Sequence, residues 1–223
     1  STPIDHFCAP DGRPINMVWV RNGTTAMNMA VKLFGGDFSK IMSQVLSADA
    51  DCGGLLALPF MDDEPGLGIS RGGTAMILGL NNETATPGNA VKAMLLATIF
   101  NLRIGSNQLD IQGYPRTEII LSGGLVKTSE LGQLVADAFN TPVTIFEGGD
   151  EGTAWGAALM AKFRFEALAD RATDWKQFLE TQKTGTPSRF LPHHQSVEIL
   201  NGVFSRYERL VHMHGQLESV TSQ

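Results

Sequence analysis

Between Ile15 and Leu168, strand-sized apolar runs alternate with helix-length segments, which confines the chain to an α/β layered architecture. Ile15 to Val20 reads as a strand. Asn22-Gly23-Thr24-Thr25 breaks it ahead of a helix over Met27 to Phe34, and a second short helix is expected from Phe38 to Leu46. Gly54 to Phe60 and Thr74 to Leu80 are apolar strands with only a loop, Met61 to Gly73, between them. Parallel neighbours are usually joined through a helix, so this part of the sheet is expected to be antiparallel. Pro87 suits the first turn of a helix, which should run to about Gly105. Glu118 to Leu121 is a short strand. Ser129 to Phe139 is a helix with Leu131, Leu134, Val135 and Ala138 on one face. Val143 to Phe146 is a strand, Glu147 to Gly152 an acidic glycine-rich loop, and Thr153 to Leu168 a helix.

The two ends differ from this core. Ser1 to Arg13 is polar and turn-rich and carries no initiator Met, as a fragment or a processed chain would. Asp174 to Gln182 reads as a polar helix and Thr184 to Pro192 as a linker. Val197, Leu200, Phe204, Tyr207, Leu210 and Val211 then recur at helical spacing, the mark of a packed C-terminal helix. The expected division is therefore an α/β domain over residues 1–168 and a helical extension over 169–223, packed on it.

Charge and cysteine usage exclude several function classes. The net charge of −6 disfavours a dedicated nucleic-acid binder, which carries a basic face. No apolar stretch reaches the roughly 20 residues of a membrane helix. Cys8 and Cys52 are far apart and form no CxxC motif, which suits a reduced, cytoplasmic chain. His193-His194 and His212-Met213-His214 suggest metal ligands, but neighbours at i+1 and i+2 on a helix point to different faces, and exposed helix histidines are expected. Asp62-Asp63-Glu64 could hold a divalent cation or form a solvated loop; consecutive carboxylates favour the loop.

Two strand-to-helix junctions carry glycine: Arg21-Asn22-Gly23-Thr24 and Ser122-Gly123-Gly124-Leu125-Val126-Lys127-Thr128. Glycine lets a ligand reach the backbone. A helix behind it adds free N–H groups and the positive end of its dipole, so such a junction suits a phosphate or a flat base. The alternative is an ordinary turn with a Ser or Thr helix cap. Neither junction is a GxGxxG or a GxxxxGK[ST] motif. A third junction, Gly148 to Thr153, carries Asp150 and Glu151, which would repel a phosphate. The small residues Gly156, Ala157 and Ala158 behind it are expected to lie against the sheet and support one wall of a pocket.

The second and third junctions together resemble the FGGY carbohydrate kinases. Leu121 to Val143, with its Ser-Gly-Gly turn and Asn-Thr-Pro-Val strand entry, is similar to that family's adenosine motif, and Glu151-Gly-Thr-Ala-Trp-Gly-Ala-Ala158 to the segment that follows it. The resemblance covers about Trp19 to Lys162 and is nearest to pentulose kinases of the xylulose or ribulose type. It implies an actin-like ATPase (ribonuclease H-like) fold with a mixed sheet flanked by helices. It also implies that the chain is the second of two domains, ATP with Mg²⁺ as cofactor in the complete enzyme, and a ketose bound mainly through the other domain. The family's first phosphate loop and catalytic Asp would lie in that other domain, so this chain alone should be inactive; a homodimer is compatible with the pattern. Carried over by position, the nucleotide contacts are Gly23, Gly123, Gly124 and Thr128, with no catalytic or metal-binding residue. Three positions depart from the family: Met27 where a polar residue is usual, Leu96 where Glu is, and Asp63-Glu64-Pro65 where Gly-Glu-Arg is. They motivate the alternative of a non-catalytic regulatory or scaffold protein. A third alternative is an unrelated α/β binding module.

Overall fold

The computed structural model describes residues 4–171, 174–182 and 185–220. It opens with a hairpin in which β1 (Ile4–Cys8) pairs antiparallel with β2 (Pro14–Val18). Only Ala9 to Arg13 of the expected turn-rich segment is a turn, closed by Ala9 N–H donating to Arg13 O at 2.8 Å. The polar residues that hid β1 are used within the hairpin: His6 bonds Asn16 across it, and Trp19 Nε1–H donates to Asp5. Ser1 to Pro3 lie outside the described residues.

Helices α1 (Thr24–Leu33), α2 (Phe38–Ser47) and α3 (Pro87–Ile111) form the next layer. Asp37 caps α2 by accepting from Lys40 N–H, and Thr86 caps α3 by accepting from Asn89 N–H. α1 and α2 both pack on α3. α3 runs past its expected end near Gly105, because that glycine is a packing device and not a stop: it lies tightly against the Val18 side chain. Strands β3 (Leu56–Leu58) and β4 (Met76–Leu78) pair antiparallel, as the loop between them required, with Ala57 opposite Ile77.

A separate sheet carries the glycine turns. β5 (Ile119–Ile120) runs parallel to β6 (Val143–Ile145), and β7 (Ser188–Phe190) pairs antiparallel with the other edge of β6. β7 falls within the expected linker; a three-residue strand is too short to show alternation. Thr184, also assigned to that linker, lies outside the described residues. Helix α4 (Leu131–Phe139) packs between this sheet and α7 (His194–His212), which is followed by α8 (His214–Val220). The α7 stripe meets the core as its spacing predicts, with Phe204 and Tyr207 against Phe100.

Two further expectations are overturned here. Helix α5 (Gly152–Leu168) has no buried residue, and Gly156 faces open space. Small residues permit close approach but do not drive it. The large apolar residues of α5 point in all directions, and only Phe163 finds an aromatic neighbourhood, against Trp175 and Phe178 of α6 (Trp175–Thr181) and its start. The accessible surface of the chain is accordingly 12884 Å², against roughly 10,000 Å² for a compact monomer of this mass. The second correction concerns His214, which is buried and not an exposed helix residue. Its Nε2 shares a 2.6 Å hydrogen bond with Thr74 Oγ1 and its ring stands edge-on to Phe60. Burial lowers its pKa below the ordinary value, with Glu218 opposing the shift.

Candidate functional site

The parallel pair β5–β6 ends in two loops that bond to each other. Leu121 N–H donates to Thr144 O at 3.0 Å, continuing the pairing, and Gly123 N–H donates to Gly149 O at 2.8 Å. A crevice beyond the carboxyl ends of parallel strands is where α/β sheets bind ligands. Here it is a cleft of about 410 Å³ whose walls include Leu121, Ser122, Phe146, Glu147, Gly149 and Trp155. The loops approach closely: a Cβ on Gly152 would stand 3.3 Å from Ser122 Cβ. The third junction thus shares a cleft with the second. The third junction is therefore part of the cleft itself and not only a supporting wall, since the loop that follows β6 brings Glu147 and Gly149 into it.

Three of the expected contact residues fall on one turn. Gly123 has φ +86° and leads into a 3₁₀ turn over Gly124–Lys127, which Thr128 closes. Among the described residues, a Cβ on either Gly123 or Gly124 would meet nothing within 4 Å, so the backbone there is open to approach. The turn separates the glycines from α4, so the helix does not stand directly behind them as expected. No side chain caps the start of α4 or of α1.

Gly123, Gly124 and Thr128 are not among the cleft's lining residues, which reach only Ser122 on this side, and neither is Gly23. Gly23 is the N-cap of α1, with open space beside it, on a turn bound to the 62–64 loop. Met27, four residues on, is buried in the core, and Asn28 is exposed. Leu96 is likewise a core residue. Glu64 departs from the expected solvated loop: it is 1% exposed and accepts hydrogen bonds from Arg21 and Asn22. Asp63 instead pairs with the Arg21 guanidinium at the surface. The three carboxylates therefore do not converge, and among the described residues no group of three His, Cys, Asp or Glu could hold a metal. Nor is any described helix long and apolar enough to cross a membrane.

Residues 15–164 match the model of the FGGY family of carbohydrate kinases, C-terminal domain. The chain belongs to this family. The FGGY domain is 29% identical over 160 residues to a xylulose kinase of Haemophilus influenzae, an alignment covering 71% of this chain and 32% of that protein. The chain thus spans about a third of that relative's length. It superposes on a ligand-bound xylulose kinase of Lactobacillus acidophilus with a TM-score of 0.73 at 21% identity, over 92% of this chain and 41% of that one. A gluconate kinase of the same organism gives 0.72 at 22% identity, over 95% and 43%. The architecture of this FGGY domain is the actin-like ATPase one, with a mixed sheet flanked by helices.

Proposed function

We propose that the chain is the nucleotide-binding half of an ATP-dependent sugar kinase whose complete form phosphorylates a ketopentose such as xylulose or ribulose. The observation that carries this reading is the open Gly123-Gly124 turn at the carboxyl end of a parallel strand pair, in a chain of the FGGY family. Open space beside the backbone at Gly123 and Gly124, on a turn that Thr128 closes, supports an approach by adenosine there. Gly23, half-buried with open space beside it, supplies a second backbone approach in this reading. In this reading residues 1–168 are the actin-like domain and 169–223 the extension packed on it; a homodimer and a cytoplasmic location belong to it too.

Phosphoryl transfer depends on positioning and on neutralising phosphate charge, with Mg²⁺ on the phosphates. In this reading the chain's own part is to hold and orient the nucleoside. The test is calorimetric titration of ADP and ATP into the wild-type chain and into Gly124→Leu. A Cβ at Gly124 would meet no atom of the described residues within 4 Å, so the variant should fold while its side chain fills the approach. We expect weak binding by the wild type and none by the variant. Equal affinity in the two would refute the site.

The regulatory alternative draws on Met27 and Leu96, which are apolar core residues where the family usually has polar ones. A parent protein that binds ATP but releases no ADP with any ketose would establish it.

A further inference from the structure

We propose that Glu64 is the positioning residue of the first glycine junction, a role that rests on the nucleotide-binding reading above. An unpaired buried carboxylate is strongly unfavourable, and Glu64 is fully hydrogen-bonded by the two residues immediately before Gly23. Arg21 N–H donates to Oε1 at 2.8 Å and to Oε2 at 3.0 Å. Asn22 N–H and Asn22 Nδ2–H each donate to Oε2 at 3.0 Å.

The clamp is rigid from both sides. Glu64 N–H donates to Ile69 O at 3.0 Å and Ile69 N–H returns to Glu64 O at 3.1 Å, so the loop carrying the carboxylate is closed on itself. Asn22, fully buried, accepts from Asp62 N–H at 2.8 Å and donates to Asp62 O and Asp63 O. With two successive amides held inward on one carboxylate, the chain leaves the strand in a single direction. Gly23 and the uncapped first turn of α1 are then presented outward, with open space beside the glycine. Glu64 is buried and its oxygens are occupied, so it acts through the backbone it holds and touches no ligand. Its charge also reaches the interior: it contributes to raising the pKa of the buried Tyr207 phenol of α7.

The experiment uses the full chain and ADP as the probe, titrated by calorimetry at a temperature well below the melting transition, with Glu64→Gln, Glu64→Asp and Asp63→Asn. Glutamine keeps the shape but turns an amide toward the N–H donors. Glu64→Gln should therefore bind ADP about tenfold or more weakly while its far-UV circular dichroism stays native. Glu64→Asp keeps the charge and should recover part of the affinity. Asp63→Asn breaks only the surface pair with Arg21 and should bind as the wild type does. The Arg21 and Asn22 amide proton resonances should move upfield in Glu64→Gln and stay in place in Asp63→Asn. A folded Glu64→Gln with wild-type ADP affinity overturns the assignment. Should that variant not fold, Glu64→Asp carries the test, and wild-type affinity there overturns it equally. A wild-type chain that gives no ADP binding refutes the nucleotide reading and this role together.

Discussion

Tyr207→Phe isolates one buried hydrogen bond at the centre of the molecule. Tyr207 is 1% exposed, and its hydroxyl donates to Asn101 Oδ1 at 2.5 Å. Asn101 Nδ2 has no hydrogen-bond partner among the described residues, so removing the hydroxyl leaves this buried amide with neither end satisfied. The ring itself keeps its packing on Phe100. An orphaned buried acceptor costs about 1–3 kcal/mol. In a chain of this size each kcal/mol lowers the midpoint by about 2–4 °C, so the expected loss is roughly 2–12 °C by calorimetry or thermal circular dichroism. Replacing both partners by apolar groups, Asn101→Leu with Tyr207→Phe, should recover part of the loss, a coupling above about 0.5 kcal/mol in a double-mutant cycle. There is a second signature in alkali. Burial, with Glu64 adding to it, raises the Tyr207 phenol above its ordinary value of 10.0. The unfolded chain therefore ionises first, and stability present below pH 10 is lost as the pH rises beyond it. Tyr207→Phe should flatten that part of the profile. A midpoint unchanged by the substitution would refute the reasoning.

Ala157→Leu should change the melting temperature negligibly, within the range of ordinary surface substitutions of about 0.5 kcal/mol, because α5 has no buried residue; a large loss would show that α5 is packed. His214 has its pKa lowered from 6.5 by burial. Stability should thus be complete above about pH 6.5 and fall as acid protonates the unfolded chain preferentially; thermal melts from pH 7.5 to 5.5 should show this slope in the wild type and not in His214→Gln. Gly132→Ala should destabilise the chain by about 1–3 kcal/mol, since the new Cβ would lie 2.6 Å from the Phe190 ring; denaturant unfolding measures it. The chain alone should release no ADP with D-xylulose, D-ribulose or L-ribulose in a coupled assay, because transfer needs a base within reach of the sugar hydroxyl and the family resemblance puts that base and the first phosphate loop in the other domain; release at a rate near that of a complete kinase would overturn the half-enzyme reading.

What the sequence made legible was whatever is written locally. The glycine junctions and the α7 stripe depend on residues close together in the chain, and the antiparallel return between β3 and β4 on the absence of a helix in the loop that joins them. Glu64 was not legible, because its partners lie some forty residues earlier and three adjacent carboxylates look like a solvated loop. β1 and β7 were missed because cross-strand bonds use up the polar residues of one and the other is only three residues long. His214 was misplaced because spacing on one helix says nothing of Thr74 and Phe60, which reach it from another part of the chain. For α5 the error was of another kind: composition shows that a helix can be covered, and only the fold shows whether anything covers it.

Every residue of α3 from Gly88 to Asn101 is buried, including Asn89, Lys92, Thr98 and Asn101. A surface helix tolerates change on one side in every turn, so a scan of single substitutions along it shows a rhythm of sensitive and permissive positions. Along this stretch of α3 that rhythm should vanish. Charged replacements should be rejected at each position in turn, and permissiveness should return only beyond Asn101, where Leu102 and then Ile111 face solvent. The backbone amides between Val91 and Phe100 should also be the last in the chain to exchange with deuterium, since they open only when the layers on every side of the helix come apart.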